Sequence, residues 1–110
     1  MKPVRTSPCL VAQVYGEMDH MTAPIFTPQI LELVDSGAPF IVLDMSGVEF
    51  CDSAGLNVIL AARWHAEQAG ATVALTCLPA FLSQLLRITG VDQLMRPYDT
   101  VTDAEAALIG

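Results

Sequence analysis

Positive charge is scarce in this chain. Five lysines and arginines stand against 12 aspartates and glutamates, a formal net charge of −7 over 110 residues. A phosphate backbone must be neutralised by bases, so a nucleic-acid partner is not expected. Histidine is scarcer still, with only His20 and His65. The three cysteines, Cys9, Cys51 and Cys77, are widely spaced, odd in number and outside any Cys-x-x-Cys pattern. Neither a zinc site nor a disulfide framework is expected, and no cofactor. Each thiol lies in or beside an apolar segment, where free cysteine behaves as a small buried hydrophobe.

Long hydrophobic runs are also missing. Hydrophobic residues make up 53% of the chain and the mean hydropathy is +0.49. Yet no uninterrupted apolar run approaches the roughly 20 residues that span a bilayer. The opening Met1-Lys-Pro-Val-Arg-Thr-Ser-Pro8 shows no apolar h-region and no small-residue cleavage site. The expectation is a cytoplasmic protein with no membrane partner.

What is present is an alternation of β-type and helix-type segments. Cys9–Tyr15 reads as a strand ending at Gly16, and Thr22 as an N-cap with Pro24 in the first helical turn. That helix carries Ile25, Phe26, Ile30, Leu31, Leu33 and Val34 and stops near Gly37. Phe40–Leu43 is a short continuous apolar run, the pattern of a strand covered on both faces. A loop and then a helix over Ala54–Ala69, closed by Gly70, follow. Ala71–Cys77 is the next strand, and Pro79 opens a helix with Phe81, Leu82, Leu85, Leu86 and Ile88 at helical spacing, ended by Gly90. A short strand is expected near Leu94–Arg96, and a terminal helix over Thr102–Ile109 with Thr102 and Glu105 at capping-box spacing. No repeat, linker or low-complexity stretch divides the pattern. It predicts one α/β domain over residues 1–110, with an irregular segment over 1–8. Its centre is a mostly parallel, mixed sheet of about four to five strands with about four helices.

Catalytic motifs are absent. Cys51-Asp-Ser-Ala-Gly55 lacks the first glycine of a nucleophile elbow. Neither histidine is placed to serve Ser53 or Cys51 as a base: His20 sits beside an acidic turn, and His65 points away from Ser53 and towards solvent. No Gly-rich phosphate loop precedes a Lys-[Ser/Thr] pair. An enzyme is not expected.

The informative stretch is Ile41-Val-Leu-Asp-Met-Ser-Gly-Val-Glu-Phe-Cys-Asp-Ser53-Ala-Gly-Leu56. It places Ser53 on the first turn of a long apolar helix, where free N–H groups and a partial positive charge gather. Asp52 and Ser53 compete for the N-cap position. On that helix Gly55, Val58, Ile59, Ala62, Ala66 and Ala69 make one small-residue stripe suited to close packing on a sheet. Ser53, Leu56, Asn57, Leu60 and Trp64 fall on another sector. Leu56 looks like core. Leu60 and Trp64 either pack on a neighbouring helix or extend a binding patch away from Ser53.

Four segments in order carry a resemblance: Gly16-Glu-Met-Asp-His-Met-Thr-Ala23, Ile41-Val-Leu-Asp44, Phe50-Cys-Asp-Ser-Ala-Gly-Leu56 and Leu85-Leu-Arg-Ile-Thr-Gly-Val91. From about Val11 onward the chain resembles the anti-sigma factor antagonists of the STAS family. The resemblance implies a STAS-like domain in which Ser53 is the phosphate acceptor. It implies a partner-binding surface of Glu17, Asp19, Asp52, Ser53, Ala54, Gly55, Asn57, Leu60 and Trp64. The implied partners are an anti-sigma factor serine kinase, bound by the unphosphorylated form to release a sigma factor, and a PP2C-type phosphatase. The free protein is expected to be a monomer. Phosphate on Ser53 is expected to be tolerated by the fold, because free helix N–H groups would receive it. Two features depart from the family. The segment before Cys9 is short and holds Pro3 and Pro8, which predicts a truncated first edge strand. Asn57 also stands where a glycine is common. A static adaptor subunit of a transport or stress-sensing complex is the alternative role.

Overall fold

The computed structural model describes Met1, residues 3–6 and residues 8–110. Nine elements follow in chain order: β1 (Pro3–Thr6), β2 (Cys9–Met18), α1 (Ala23–Val34), β3 (Phe40–Cys51), α2 (Ser53–Ala69), β4 (Thr72–Thr76), α3 (Ala80–Thr89), α4 (Val91–Leu94) and α5 (Val101–Ile109). The sheet order is β1-β2-β3-β4. β1 is antiparallel to β2, while β2, β3 and β4 run parallel. The expected mixed, mostly parallel sheet is therefore present, and its first edge strand is short but formed.

β3 lies between two parallel partners, and Ile41, Val42 and Leu43 are fully buried. Alternation sends neighbouring residues to opposite faces. Leu10, Ala12, Val14, Ile41, Leu43 and Leu75 join the core beneath α1, α2 and α3. Cys9, Val42 and Ala74 meet Ala104 of α5 on the other face. Short β–α–β connections of one hand account for the helices sharing a face.

Several boundaries differ from expectation. β3 does not end at Leu43; it runs on to Cys51, pairing with β2 alone beyond Asp44. Two register shifts, between Gln13 and Tyr15 and between Gly16 and Glu17, break the alternation there. No strand forms over Leu94–Arg96. Val91 follows the left-handed Gly90 into the short α4, and a single parallel bridge pairs Thr76 with Tyr98. The terminal helix is capped two residues earlier than the Thr102–Glu105 spacing suggested. Thr100 Oγ1 accepts from Asp103 N–H at 3.0 Å. α1 ends at Val34 with Asp35 as its cap, and Gly37 lies in the turn beyond. Pro28 sits inside α1. Cys9 and Cys51 are buried as expected, but Cys77 is only half-buried and adopts a left-handed φ of 57°. Within α2, Ala69 is exposed, unlike the rest of its small-residue stripe.

Candidate functional site

The β2–β3 ribbon outruns β4 and brings two loops together. Glu17 pairs with Phe50 and Met18 with Cys51. One residue later, Asp52 N–H donates to the Met18 carbonyl at 3.2 Å. The turn carrying Asp19 and the start of α2 therefore leave the sheet side by side.

Asp52, not Ser53, is the cap of α2. Its backbone is extended, and its Oδ1 accepts from Ala54 N–H at 2.9 Å and Gly55 N–H at 3.2 Å. Ser53 is the first helical residue, and its side chain is exposed. Among the described residues no hydrogen bond engages its hydroxyl. Leu56 N–H returns to the Asp52 carbonyl at 3.0 Å. Of the first four amides, only that of Ser53 lacks a partner among the described residues. This corrects the expectation that several free N–H groups await a phosphate there: the Asp52 carboxylate already holds two of them.

The opposite loop is equally constrained. Asp19 Oδ1 accepts from Met21 N–H at 2.9 Å and Thr22 N–H at 3.0 Å. Thr22 does stand at the N-cap position of α1, but its side chain does not cap the helix. The hydroxyl instead donates back to the Glu17 carbonyl at 2.8 Å and accepts from Asp19 N–H at 2.9 Å. The Asp19 carboxylate thus shapes its own turn while remaining half-exposed. Glu17 is exposed.

The remaining α2 residues divide clearly. Gly55 and Leu56 are buried, Ala54 and Leu60 half-buried, and Asn57 exposed. Trp64 is 62% exposed, which selects the surface over helix packing for its ring. His65 is not purely solvent-facing: its Nε2 lies 2.7 Å from Asp35 Oδ1, tying α2 to the end of α1. Burial, then the adjacent Asp52 carboxylate, pushes the Cys51 thiol up to about 11. A thiol held protonated is a poor nucleophile. Among the described residues, no group of acidic, histidine and cysteine side chains is arranged to hold a metal ion.

Three exposed apolar residues of this end are not among the expected partner-surface residues: Phe50 (47% exposed), Met21 (72%) and Ile25 (60%). Phe50 lies on the extended part of β3 opposite Glu17, and Met21 in the Asp19 turn. Phe50 is two positions beyond the inward Val48, so regular alternation would bury it; its exposure lies beside the register shift between Gly16 and Glu17, which the sequence does not show.

A mixed sheet in the order β1-β2-β3-β4, helices on one face and α5 on the other, defines a small α/β domain. The family model described as STAS domain matches residues 1–104, and the chain belongs to the STAS domain family. The anti-sigma F factor antagonist of Paenibacillus polymyxa is 30% identical over 96 residues, covering 86% of this chain and 82% of that protein. The anti-sigma-F factor antagonist RsfB of Mycobacterium tuberculosis is 28% identical over 102 residues, covering 91% of this chain and 81% of that one. The crystal structure of an anti-sigma factor antagonist from Mycobacterium paratuberculosis is similar with a TM-score of 0.89 at 27% identity, covering 99% of this chain and 92% of that chain. Among the described residues, no helix is long and apolar enough to cross a membrane.

Proposed function

We propose that this chain is a cytoplasmic anti-sigma factor antagonist, switched off by phosphorylation of Ser53. Its unphosphorylated form binds an anti-sigma factor that is also a serine kinase, and so releases a sigma factor. A PP2C-type phosphatase restores the serine. The observation that carries the reading is the exposed Ser53 hydroxyl, left out of the helix cap by Asp52. The relatives named as antagonists support the role.

The partner surface runs from Glu17, Asp19 and Asp52 through Ser53 and Asn57 to Leu60 and Trp64. Ala54 contributes its half-exposed methyl group, and Gly55 the close seat of the helix. The free protein acts as a monomer that offers this surface to its partner. A phosphoserine adds nearly two negative charges and three acceptor oxygens. They would arrive next to an Asp52 carboxylate that already occupies the neighbouring amides. Two unit charges about 5 Å apart at an effective dielectric of 20 interact by roughly 3 kcal/mol. Even half of that costs about tenfold in affinity.

Incubation with the cognate kinase and ATP should place a single phosphate on Ser53, located by mass spectrometry. By calorimetry, Ser53→Ala should keep its affinity for the kinase and Ser53→Asp should lose about tenfold or more. Equal affinities of the two variants would rule out the switch.

A further inference from the structure

The far edge of the sheet is unfinished. β4 bonds to β3 through its inward-facing residues, beginning with Thr72 N–H to the Pro39 carbonyl at 2.9 Å. Alternation turns the main-chain groups of Val73, Leu75 and Cys77 outward. Only the upper part of that edge is covered. Tyr98 N–H donates to the Leu75 carbonyl at 2.9 Å, and Cys77 N–H to the Tyr98 carbonyl at 3.3 Å. Below Tyr98 no strand continues: the chain arrives there from α4, which ends at Leu94, and no ladder bond forms between residues 95–97 and β4. The N–H and C=O of Val73 and the N–H of Leu75 have no hydrogen-bond partner among the described residues. Val73 is only 9% exposed and Leu75 fully buried, so these groups are costly to leave unpaired.

A slot of about 300 Å³ lies against this edge, lined by Val73, Arg63, Glu67, Arg96 and Tyr98 among others. Two of the chain's five basic residues therefore converge on one place in a protein of net charge −7. Arg63 Nη2 donates to Glu67 Oε1 at 2.9 Å, leaving its other N–H groups free for a second acceptor. Arg96 makes no ion pair among the described residues. Two guanidinium groups against one carboxylate leave the slot positive.

We propose that this slot takes an extended peptide segment carrying an acidic side chain, which adds to β4 as a fifth strand. An extended backbone supplies the acceptor and donor that the slot-lining Val73 lacks, as in β-strand addition. The carboxylate meets the guanidinium pair. A helix presents no free main-chain groups along its side, and a small anion would leave the strand edge unpaired. In these parallel strands the open part of β4 lies beside the start of β3, whereas Ser53 follows its end. The two sites occupy opposite ends of the sheet, so this docking does not depend on the switch proposed for Ser53.

The test is a titration of ¹⁵N-labelled protein with the blocked pentapeptide acetyl-Thr-Val-Asp-Val-Thr-amide and its Asn counterpart. The Asp peptide should shift the Val73 amide signal and slow its hydrogen exchange. The Asn peptide and the Arg96→Glu variant should each raise Kd by about tenfold. Val73→Pro should abolish binding, because it removes an outward donor without touching the β3 ladder. If that variant fails to fold, the exposed Arg96→Glu carries the test. No binding at millimolar peptide, shifts confined to the Ser53 corner, or equal affinity of the Asn peptide would each overturn the proposal. So would an unchanged Arg96→Glu, or acetate alone reproducing the protection of Val73.

Discussion

Gly55 lies so close to Met18 that a Cβ on it would stand 2.5 Å from the Met18 carbonyl oxygen and 2.9 Å from the Met18 Cβ. The Cys51 sulfur would be 2.7 Å away. This contact seats the first turn of α2 on the end of β2 and so holds the Ser53 corner together. Gly55→Ala is expected to destabilise the fold by about 1–3 kcal/mol, since much of what the new methyl meets is backbone. Urea unfolding followed by circular dichroism measures it, and an unchanged midpoint would show that the seam can give.

Adjacent residues at the α2 start should respond very differently to truncation. Asp52→Ala removes the acceptor for two amides and should cost about 1 kcal/mol. Ser53→Ala, at an exposed hydroxyl with no partner among the described residues, should stay within about 0.5 kcal/mol. Thermal unfolding of both variants decides whether the cap belongs to the aspartate.

The Cys51 thiol should be silent at neutral pH. Burial and Asp52 raise it from an ordinary value of 9.0 to about 11. Iodoacetamide at about pH 8 should label the half-buried Cys77 well before Cys51. Between about pH 9 and about 11 the unfolded chain loses a proton that the folded chain keeps, so stability falls as pH rises through that window. Burial, then Glu105, raises the Cys9 thiol as well and adds to the same trend. Cys51→Ala should flatten the alkaline limb in part, as read by denaturant titrations at several pH values.

Trp64 is the only tryptophan and 62% exposed. Its emission should resemble that of indole in water and be readily quenched by acrylamide. Trp64→Ala should change stability by no more than about 0.5 kcal/mol. Addition of the anti-sigma kinase proposed as its partner should move the emission to shorter wavelength. A spectrum that ignores the partner would take Trp64 out of the docking surface.

Most of the chain's order could be read from residue type. The apolar runs at Phe40–Leu43 and Ala71–Cys77 mark strands, and Gly70 and Gly90 close their helices in the left-handed conformation. Other features depended on geometry that periodicity does not encode. The extension of β3 to Cys51 is hidden because Asp44, Ser46 and Gly47 interrupt the apolar run. Its alternation with β2 is also broken by two register shifts. The strand expected near Leu94–Arg96 is absent, and the α4 turn that precedes it, Val91–Leu94, is too short to show a helical period. The Asp52 cap was legible as a competitor to Ser53; the second carboxylate lock, Asp19 on its own turn, was not. Its signal was the Asp-x-x-Thr spacing from Asp19 to Thr22, which ordinary capping logic assigned to the helix alone.

β2 and β3 run past their neighbours as a two-stranded tongue, with Ser53 directly beyond its tip. The exposed Ser53 side chain is thereby set past the end of the ladder, while Met18, Val48 and Cys51 behind it keep the hydrophobic interior shut.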